Sequence, residues 1–300
     1  MTARVTRLAE SDWRLFATVR MRALTDSLGA DDPQYRQEST FTAAQWRRRL
    51  RDHAQFAALL NERPVGLIGA QQENAETVYL YSLWLDPAAR GHGLARPLVA
   101  AAVDWARDRG IIVASDECYA EFTYDGNGAP AAPVTALDAG ADGVLVVHSL
   151  SKRSNMAGLR AGFIAGDRGL ITYLGEMRKH GGLMMPSPIQ AAAAAALGDD
   201  EHVREQQARY ARRRALALPA LESRGLVHDG GSSTFYLWLR DADRARDGWA
   251  IAEELATTGL VVAPGDFYGD ASTDHVRVAL TLTDDQVALV ADRATAGINA

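Results

Sequence analysis

The sequence predicts a mixed α/β chain in two or three lobes. These are an N-terminal, mostly antiparallel sheet with helices over residues 1–100, a partial α/β lobe over 101–200 and a small C-terminal α/β domain over 201–300. Three observations carry this expectation. Strand-length apolar runs at Phe56–Leu60, Val65–Ala70 and Val78–Leu85 follow one another with turn residues between them. A glycine-bearing loop then leads into an amphipathic stretch over Pro97–Arg109 and a further apolar run, Ile111–Ala114, which is a strand–helix–strand order. Beyond residue 200, helix-length and strand-length patterns alternate.

Taken in order, Val5–Leu8 reads as a short strand, and Ser11 or Asp12 can cap a helix through Trp13, Phe16, Val19 and Leu24. Residues 26–40 are polar and turn-rich and read as a loop. Thr42 caps a second helix over Ala43–Leu50, and Asn61–Pro64 makes a hairpin turn. Leu98, Ala102, Trp105 and Ala106 form the apolar face of the helix over Pro97–Arg109, which Gly110 ends. Val144–Val147 and Ala161–Ala165 read as short buried strands with a loop holding Lys152 between them. Helices are expected at Leu170–Arg178, Pro188–Leu197 and Glu201–Glu222, with the alanine run Ala191–Ala196 tightly packed. A strand at Phe235–Leu239, a helix at Trp249–Thr257, strands at Leu260–Ala263 and Val276–Leu280 and a helix from Asp284 follow.

The composition is that of a globular chain, 47% hydrophobic and 23% charged. A net charge of −6 argues against a broad basic surface for nucleic acid. Cys118 is the single cysteine, so no intrachain disulfide forms, and no Cys/His cluster has zinc-ligand spacing; no metal is expected. The opening MTARVTRLAESDW lacks an apolar leader, and the longest apolar runs fall far short of a membrane span. A reduced, soluble, cytoplasmic protein with no membrane partner is the expectation.

Arg90-Gly91-His92-Gly93-Leu94-Ala95 stands between a strand and a helix. That placement gathers backbone N–H groups and a positive helix end at one spot, and small residues let a phosphate come close. A glycine pair alone would mean no more than a tight turn. With Tyr79–Leu85 and Pro87, the run resembles the acetyl-CoA motif of the GNAT N-acetyltransferases, over about residues 3–109. The resemblance implies that Arg90, Gly91, Gly93 and Ala95 bind the acetyl-CoA pyrophosphate. It breaks off where that family adds a further strand and helix and often a tyrosine acid; only Ile111–Ala114 stands in. His92 is expected to be a solvated side chain.

Ser149-Leu150-Ser151-Lys152-Arg153-Ser154-Asn155-Met156-Ala157-Gly158-Leu159-Arg160-Ala161-Gly162 is the most informative stretch. A lysine held between two strands is unusual, because lysine seeks solvent, and it suits a nucleophilic amine. Ser149, Ser151 and Arg160 supply hydroxyls and a guanidinium of the kind that surrounds a phosphate. The run resembles the pyridoxal-phosphate attachment signature of the class I/II (fold type I) aminotransferases. The resemblance implies that Lys152 binds the cofactor covalently and moves the substrate proton. Ser149 and Arg160 would hold the cofactor phosphate, with Ser151 beside them. Upstream, Asp116 and Tyr119 match the family's partners of the pyridine nitrogen and the phenolic oxygen. Arg277, in His275-Val276-Arg277-Val278-Ala279-Leu280, matches its substrate-carboxylate arginine, and Val261–Gly269 its pocket-shaping loop. DECYAEF, HSLSKRSNMAGLRAGF, MRKHGGLMMPSPIQAA and VAPGDFYG further resemble N-succinyldiaminopimelate aminotransferases. That implies exchange of an amino group between glutamate or 2-oxoglutarate and a succinylated lysine precursor, in a homodimer.

Aminotransferases of this class carry a glycine- or serine-rich phosphate loop, a ring-stacking aromatic and an Asn-Pro-Thr-Gly stretch ahead of the aspartate. None is found before Asp116. The joint between the two resemblances falls within Pro97–Gly110, and Ile111–Ala114 must join one sheet or the other. Joining the first would draw Asp116 away from Lys152; joining the second would leave the acetyltransferase groove open. Three readings follow. The first is a pyridoxal-phosphate aminotransferase of reduced activity. The second is an N-acetyltransferase using acetyl-CoA, and the third is a non-catalytic hybrid.

Overall fold

A computed structural model describes residues 3–30, 32–74, 78–124, 133–229, 231 and 233–296. The chain divides into two units, residues 1–121 with 125–199 and residues 122–124 with 200–300.

The first unit opens with a fully antiparallel sheet of β1 (Ala3–Arg7), β2 (Ala54–Leu60), β3 (Arg63–Gln72) and β4 (Val78–Leu85), in that order. Side chains alternate across a strand, so β2 serves two cores. Ala54, Phe56 and Ala58 pack with Ile68 and Leu98, whereas Ala57 and Leu59 pack with Phe16, Trp46 and Leu50. The second group comes from α1 (Trp13–Leu28) and α3 (Ala43–Asp52). Each such fully buried large side chain contributes about 1.5–3 kcal/mol. Thr42 begins α3 through a capping box with Gln45, as its sequence position predicts. The hairpin turns on Asn61 and Glu62, both left-handed at φ 49° and 61°, so Arg63 and Pro64 already lie in β3.

Residues 26–40 are not wholly a loop: α2 (Pro33–Ser39) lies within them. Asp32 accepts the Gln34 N–H at 2.7 Å, Pro33 takes the first helical position, and Glu38 anchors the turn in a buried ion pair with Arg20. Polar composition hid this helix because its anchoring partner is a charge rather than an apolar stripe.

α4 (Ala95–Arg107) covers both sheets of this unit. Leu98 and Ala102 face the first sheet, and Val103 and Ala106 face Val113, Val144 and Val146 of the second. That second sheet has the order β5 (Val113–Asp116), β6 (Val144–Ser149), β7 (Gly162–Gly166), with β5 parallel to β6 and β7 antiparallel. The first sheet therefore stops at β4. The strand expected at Ile111–Ala114 starts two residues later, because Gly110 (φ 65°) and the Ile111 N–H, which donates to Ala106 O at 3.0 Å, still close off α4.

Lys152 does not stand in a loop between two buried strands. It lies on a single helical turn, α5 (Leu150–Arg153), and β7 is exposed along its first three residues. α6 (Arg168–His180) buries no side chain fully. The alanine run lies in α7 (Ser187–Leu197), where only Ala193 is buried, so it is not tightly packed; the helix meets its cluster on one stripe.

The second unit has an antiparallel sheet of order β10 (Ala263–Pro264), β11 (His275–Ala279), β9 (Tyr236–Asp241), β8 (Leu226–His228). α8 (Glu201–Glu222) and α10 (Asp284–Ala296) meet through Ala220, Ala291 and Ala294, and α9 (Gly248–Thr257) packs on β11 with Ile251 and Leu255 buried. Phe122 sits among Tyr210 and Phe235 at 5.8 and 5.1 Å between ring centroids. The strand expected at Leu260–Ala263 shrinks to Ala263–Pro264, since Val261 is 87% exposed and faces no core.

Candidate active site

β5 and β6 run parallel with Asp116 opposite Val147, so their C-terminal ends lie side by side. Ligands of α/β sheets bind at that edge because the strand ends and following turns leave room there. Asp116 ends β5, and its Oδ1 accepts the Cys118 N–H at 3.0 Å. Hydrogen bonds from the Cys118 side chain and backbone hold the Asp116 carboxyl below the usual carboxylate range, so it is anionic at neutral pH. Burial, followed by the hydrogen bond to Asp116, pushes the Cys118 thiol up to about 11, against the opposing charge of Lys152.

At the end of β6, Ser149 Oγ accepts the Ser151 N–H at 3.1 Å and caps the turn that carries Lys152. The Lys152 ammonium lies 5.6 Å from the centroid of the Tyr119 ring. The chain then returns through Arg160, which is left-handed (φ 53°, ψ 42°), and pairs again where the Leu150 N–H donates to Ala161 O. A Cβ on Gly162 would stand 2.4 Å from His148 O, so glycine is what lets β7 close on β6. The fold thus gathers Asp116, Tyr119, Ser149, Ser151 and Lys152 on one sheet edge. The Arg160 backbone lies on the returning strand, but its exposed guanidinium donates to Ala157 O at 3.2 Å.

Two groups holding this edge escaped the reading of the sequence. Buried Glu117 accepts the Ala136 N–H at 2.8 Å through Oε1, and its Oε2 lies 3.3 Å from His148 Nε2, close enough for charge but off-line for a hydrogen bond. His148 in turn stacks on Phe163. Buried Arg153 reaches Glu121 at 3.1 Å and Ala196 O at 2.8 Å, tying α5 to the turn after Tyr119 and to the end of α7. The available signal was a charged residue directly after β5, Glu117, and one directly after Lys152, Arg153.

In the loop before α4, Gly91 and Gly93 have φ of 79° and 73°, where other residues are strained. Ala95 opens the helix, and the Arg90 guanidinium turns back to Asp26 at 2.5 Å and Leu85 O at 3.0 Å. His92 is exposed. Between the unpaired edges of β4 and β5 lies a cleft of about 550 Å³, lined by Leu80, Val99, Val103 and Val113 and reaching Asp116. In the second unit, Arg277 stands on β11 between the rings of Tyr236 and Tyr268. Among the described residues, no group of three or more His, Cys, Asp or Glu side chains has metal-binding geometry, and no helix is long and apolar enough to cross a membrane.

Residues 90–293 match the family model of class I and II aminotransferases, and residues 21–124 match that of the GNAT acetyltransferases. The two overlap over the glycine loop, α4 and β5. The chain is 48% identical over 193 residues to a probable aminotransferase of Mycobacterium tuberculosis, Rv1178, covering 64% of this chain and 46% of that protein. It is 44% identical over 220 residues to the 4-dedimethylamino-4-oxo-anhydrotetracycline transaminase OxyQ of Streptomyces rimosus, covering 71% and 59%. A solved aminotransferase from Neisseria meningitidis aligns with a TM-score of 0.55 at 32% identity, over 66% of this chain and 52% of that one. The chain thus spans about half the length of the curated relatives it matches. From the glycine loop to the last helix, the chain belongs to the class I and II aminotransferase family.

Proposed function

We propose that the chain is a pyridoxal-phosphate aminotransferase acting on small amino and 2-oxo acids. The observation that carries this is the parallel pairing of β5 and β6, which brings anionic Asp116 and the Lys152 amine to one edge beside Tyr119. The donor set fits the cofactor: a carboxylate for a pyridine nitrogen, an amine for an aldehyde and a phenol for a phenolic oxygen. Ser149, Ser151 and Arg160 fit its phosphate once their local hydrogen bonds are exchanged. When bound, pyridoxal phosphate supplies an electron sink for the carbanion left at a substrate Cα. Asp116, kept anionic by Cys118, would hold a proton on the cofactor's pyridine nitrogen. Lys152 would hold the cofactor through its amine and would be the group that moves the substrate Cα proton. Arg277 grips the substrate carboxylate with its planar, bidentate fork.

Glutamate and 2-oxoglutarate as one pair, and an N-succinylated diaminopimelate as the other substrate, complete the reading. It is supported by the four stretches that resemble N-succinyldiaminopimelate aminotransferases, and by relatives named LL-diaminopimelate aminotransferase, such as that of Aquifex aeolicus at 29% identity. A homodimer and a cytoplasmic setting belong to the same reading. Residues 1–115 carry an acetyltransferase-like sheet in place of the family's phosphate loop and stacking aromatic. Losing several charge-assisted phosphate bonds at about 1.5–3 kcal/mol each weakens cofactor binding by orders of magnitude, so turnover is slow.

The test is to add pyridoxal phosphate to the purified chain, reduce with borohydride and map the modified residue by mass spectrometry. An adduct at Lys152 that vanishes in Lys152→Ala is expected; labelling spread over many lysines, or none, overturns the proposal. Transamination of glutamate at the roughly 1–10³ s⁻¹ usual for enzymes would overturn the slow-turnover part alone.

A second reading, acetyl-CoA binding by Arg90, Gly91, Gly93 and Ala95, is favoured by the open cleft between β4 and β5. Calorimetry with acetyl-CoA tests it, with loss of binding in Gly93→Val expected. Absence of both ligands would leave the non-catalytic hybrid.

A further inference from the structure

β4 is the last strand of its sheet and β5 the first of the other, and residues 78–83 and 111–116 form the two walls of the cleft of about 550 Å³ between them. α4 closes its floor through Val99, Val103 and Ala106. The walls carry large apolar side chains that the fold leaves in water: Tyr79, Leu83 and Ile112 are 63%, 48% and 53% exposed. An apolar cleft of this size with few polar groups is the form that small-molecule sites take. One end is charged. Asp116 ends the β5 wall, and its exposed carboxylate is anionic at neutral pH, held so by hydrogen bonds from the Cys118 side chain and backbone. One oxygen accepts the Cys118 N–H at 3.0 Å, and a carboxylate has about four acceptor sites, so capacity remains for a donor arriving from the cleft. Ala114 shares a face of β5 with Asp116 and is exposed beside it.

We propose that this cleft binds an ammonium carried on an apolar body, with the cation on Asp116 and the body against Leu80, Val99, Val103 and Val113. Charge selects the head group: an anionic ligand would meet like charge at the polar end, and an uncharged one would gain nothing from it. Apolar burial selects the body, since each methylene taken out of water tightens binding about fourfold. Asp116 also belongs to the edge that carries Lys152. Two cations on one carboxylate repel each other, so an ammonium held from the cleft side excludes the protonated pyridine ring that Asp116 would otherwise serve. That exclusion rests on the aminotransferase reading above; the amine site does not.

The test is calorimetric titration of the full chain, without cofactor, with N,N-dimethylhexylamine and its octyl homologue. These tertiary amines are protonated at neutral pH and cannot condense with an aldehyde. The octyl amine is expected to bind about sixteenfold tighter, two methylenes at about fourfold each. Hexanol, an uncharged chain of the same length, should bind roughly fivefold more weakly than the hexyl amine, and Asp116→Asn should erase that difference. Ala114→Trp, at an exposed position of the wall, should abolish binding. No binding of either amine overturns the proposal outright. Homologues that bind alike overturn the apolar body, a preference for the amine that survives in Asp116→Asn overturns the cation site, and Ala114→Trp binding like wild type overturns the location. With pyridoxal phosphate and borohydride, the octyl amine at about ten times its dissociation constant should raise the cofactor needed for half-maximal Lys152 labelling about elevenfold. A Lys152 adduct whose yield the amine leaves unchanged overturns the shared use of Asp116. Amine binding with these sensitivities but no Lys152 adduct refutes the aminotransferase reading and leaves the amine site standing.

Discussion

Replacing Glu117 by alanine probes the clamp behind the candidate site. The carboxylate is buried between Asp116 and Cys118, accepts the Ala136 N–H at 2.8 Å and stands 3.3 Å from His148 Nε2. A hydrogen bond to a charged group is worth about 1.5–3 kcal/mol, and an orphaned buried donor costs about 1–3 kcal/mol; the two overlap, so a loss of about 2–4 kcal/mol is expected. His148 adds little, since its nitrogen is off-line. The chain has two units, so a single unfolding midpoint would mix them, and amide exchange at Ala136 and along β5 is the better measure. Faster exchange there should accompany a lower yield of the Lys152 adduct. Glu117→Gln keeps an acceptor at the same place and should lose about half as much. Exchange at Ala136 that changes by less than about 0.5 kcal/mol in Glu117→Ala would refute the clamp.

Two further outcomes are expected. Gly69→Ala would place a Cβ 2.7 Å from the Tyr81 ring and 2.8 Å from the Gln55 amide, which is 1% exposed; overpacking of that kind costs about 1–3 kcal/mol, read by amide exchange along β3 and β4 against wild type. Burial, with Arg214 beside it, lowers His228 to about 4 in the folded chain. Its folded value lies below the unfolded one near 6.5, so the stability it lends is full above 6.5 and drains as pH falls towards 4. Amide-exchange protection factors along β9 should fall less in His228→Gln than in wild type across that window; parallel curves would count against the assignment.

Local patterns were legible where a residue's partner is a neighbour in sequence. The apolar runs of β2 and β3, the Thr42 cap of α3 and the apolar face of α4 all follow from local pattern, and the structure places them as expected. The lysine stretch was legible only through its resemblance to the aminotransferase signature; that Ser149 caps a helical turn under Lys152 came from the structure. α2 was not, because its stability comes from Glu38 meeting Arg20, eighteen residues upstream. The alanine run was misjudged because composition says how well a segment forms a helix, not how much of it another surface covers.

What only the tertiary structure decided is which sheet takes the strand after α4. An apolar run following a helix satisfies either sheet, and nothing local chooses between them. The choice falls to β6: Val144 and Val146 close the second core against Val113, Val103 and Ala106, and parallel hydrogen bonds then carry Asp116 to the edge where Lys152 stands. Sequence by itself determined that a helix and then a strand stand here; both are displaced by two residues from their expected bounds. Their partners were set by long-range burial, because a hydrophobic run states that it must be covered and leaves open by what.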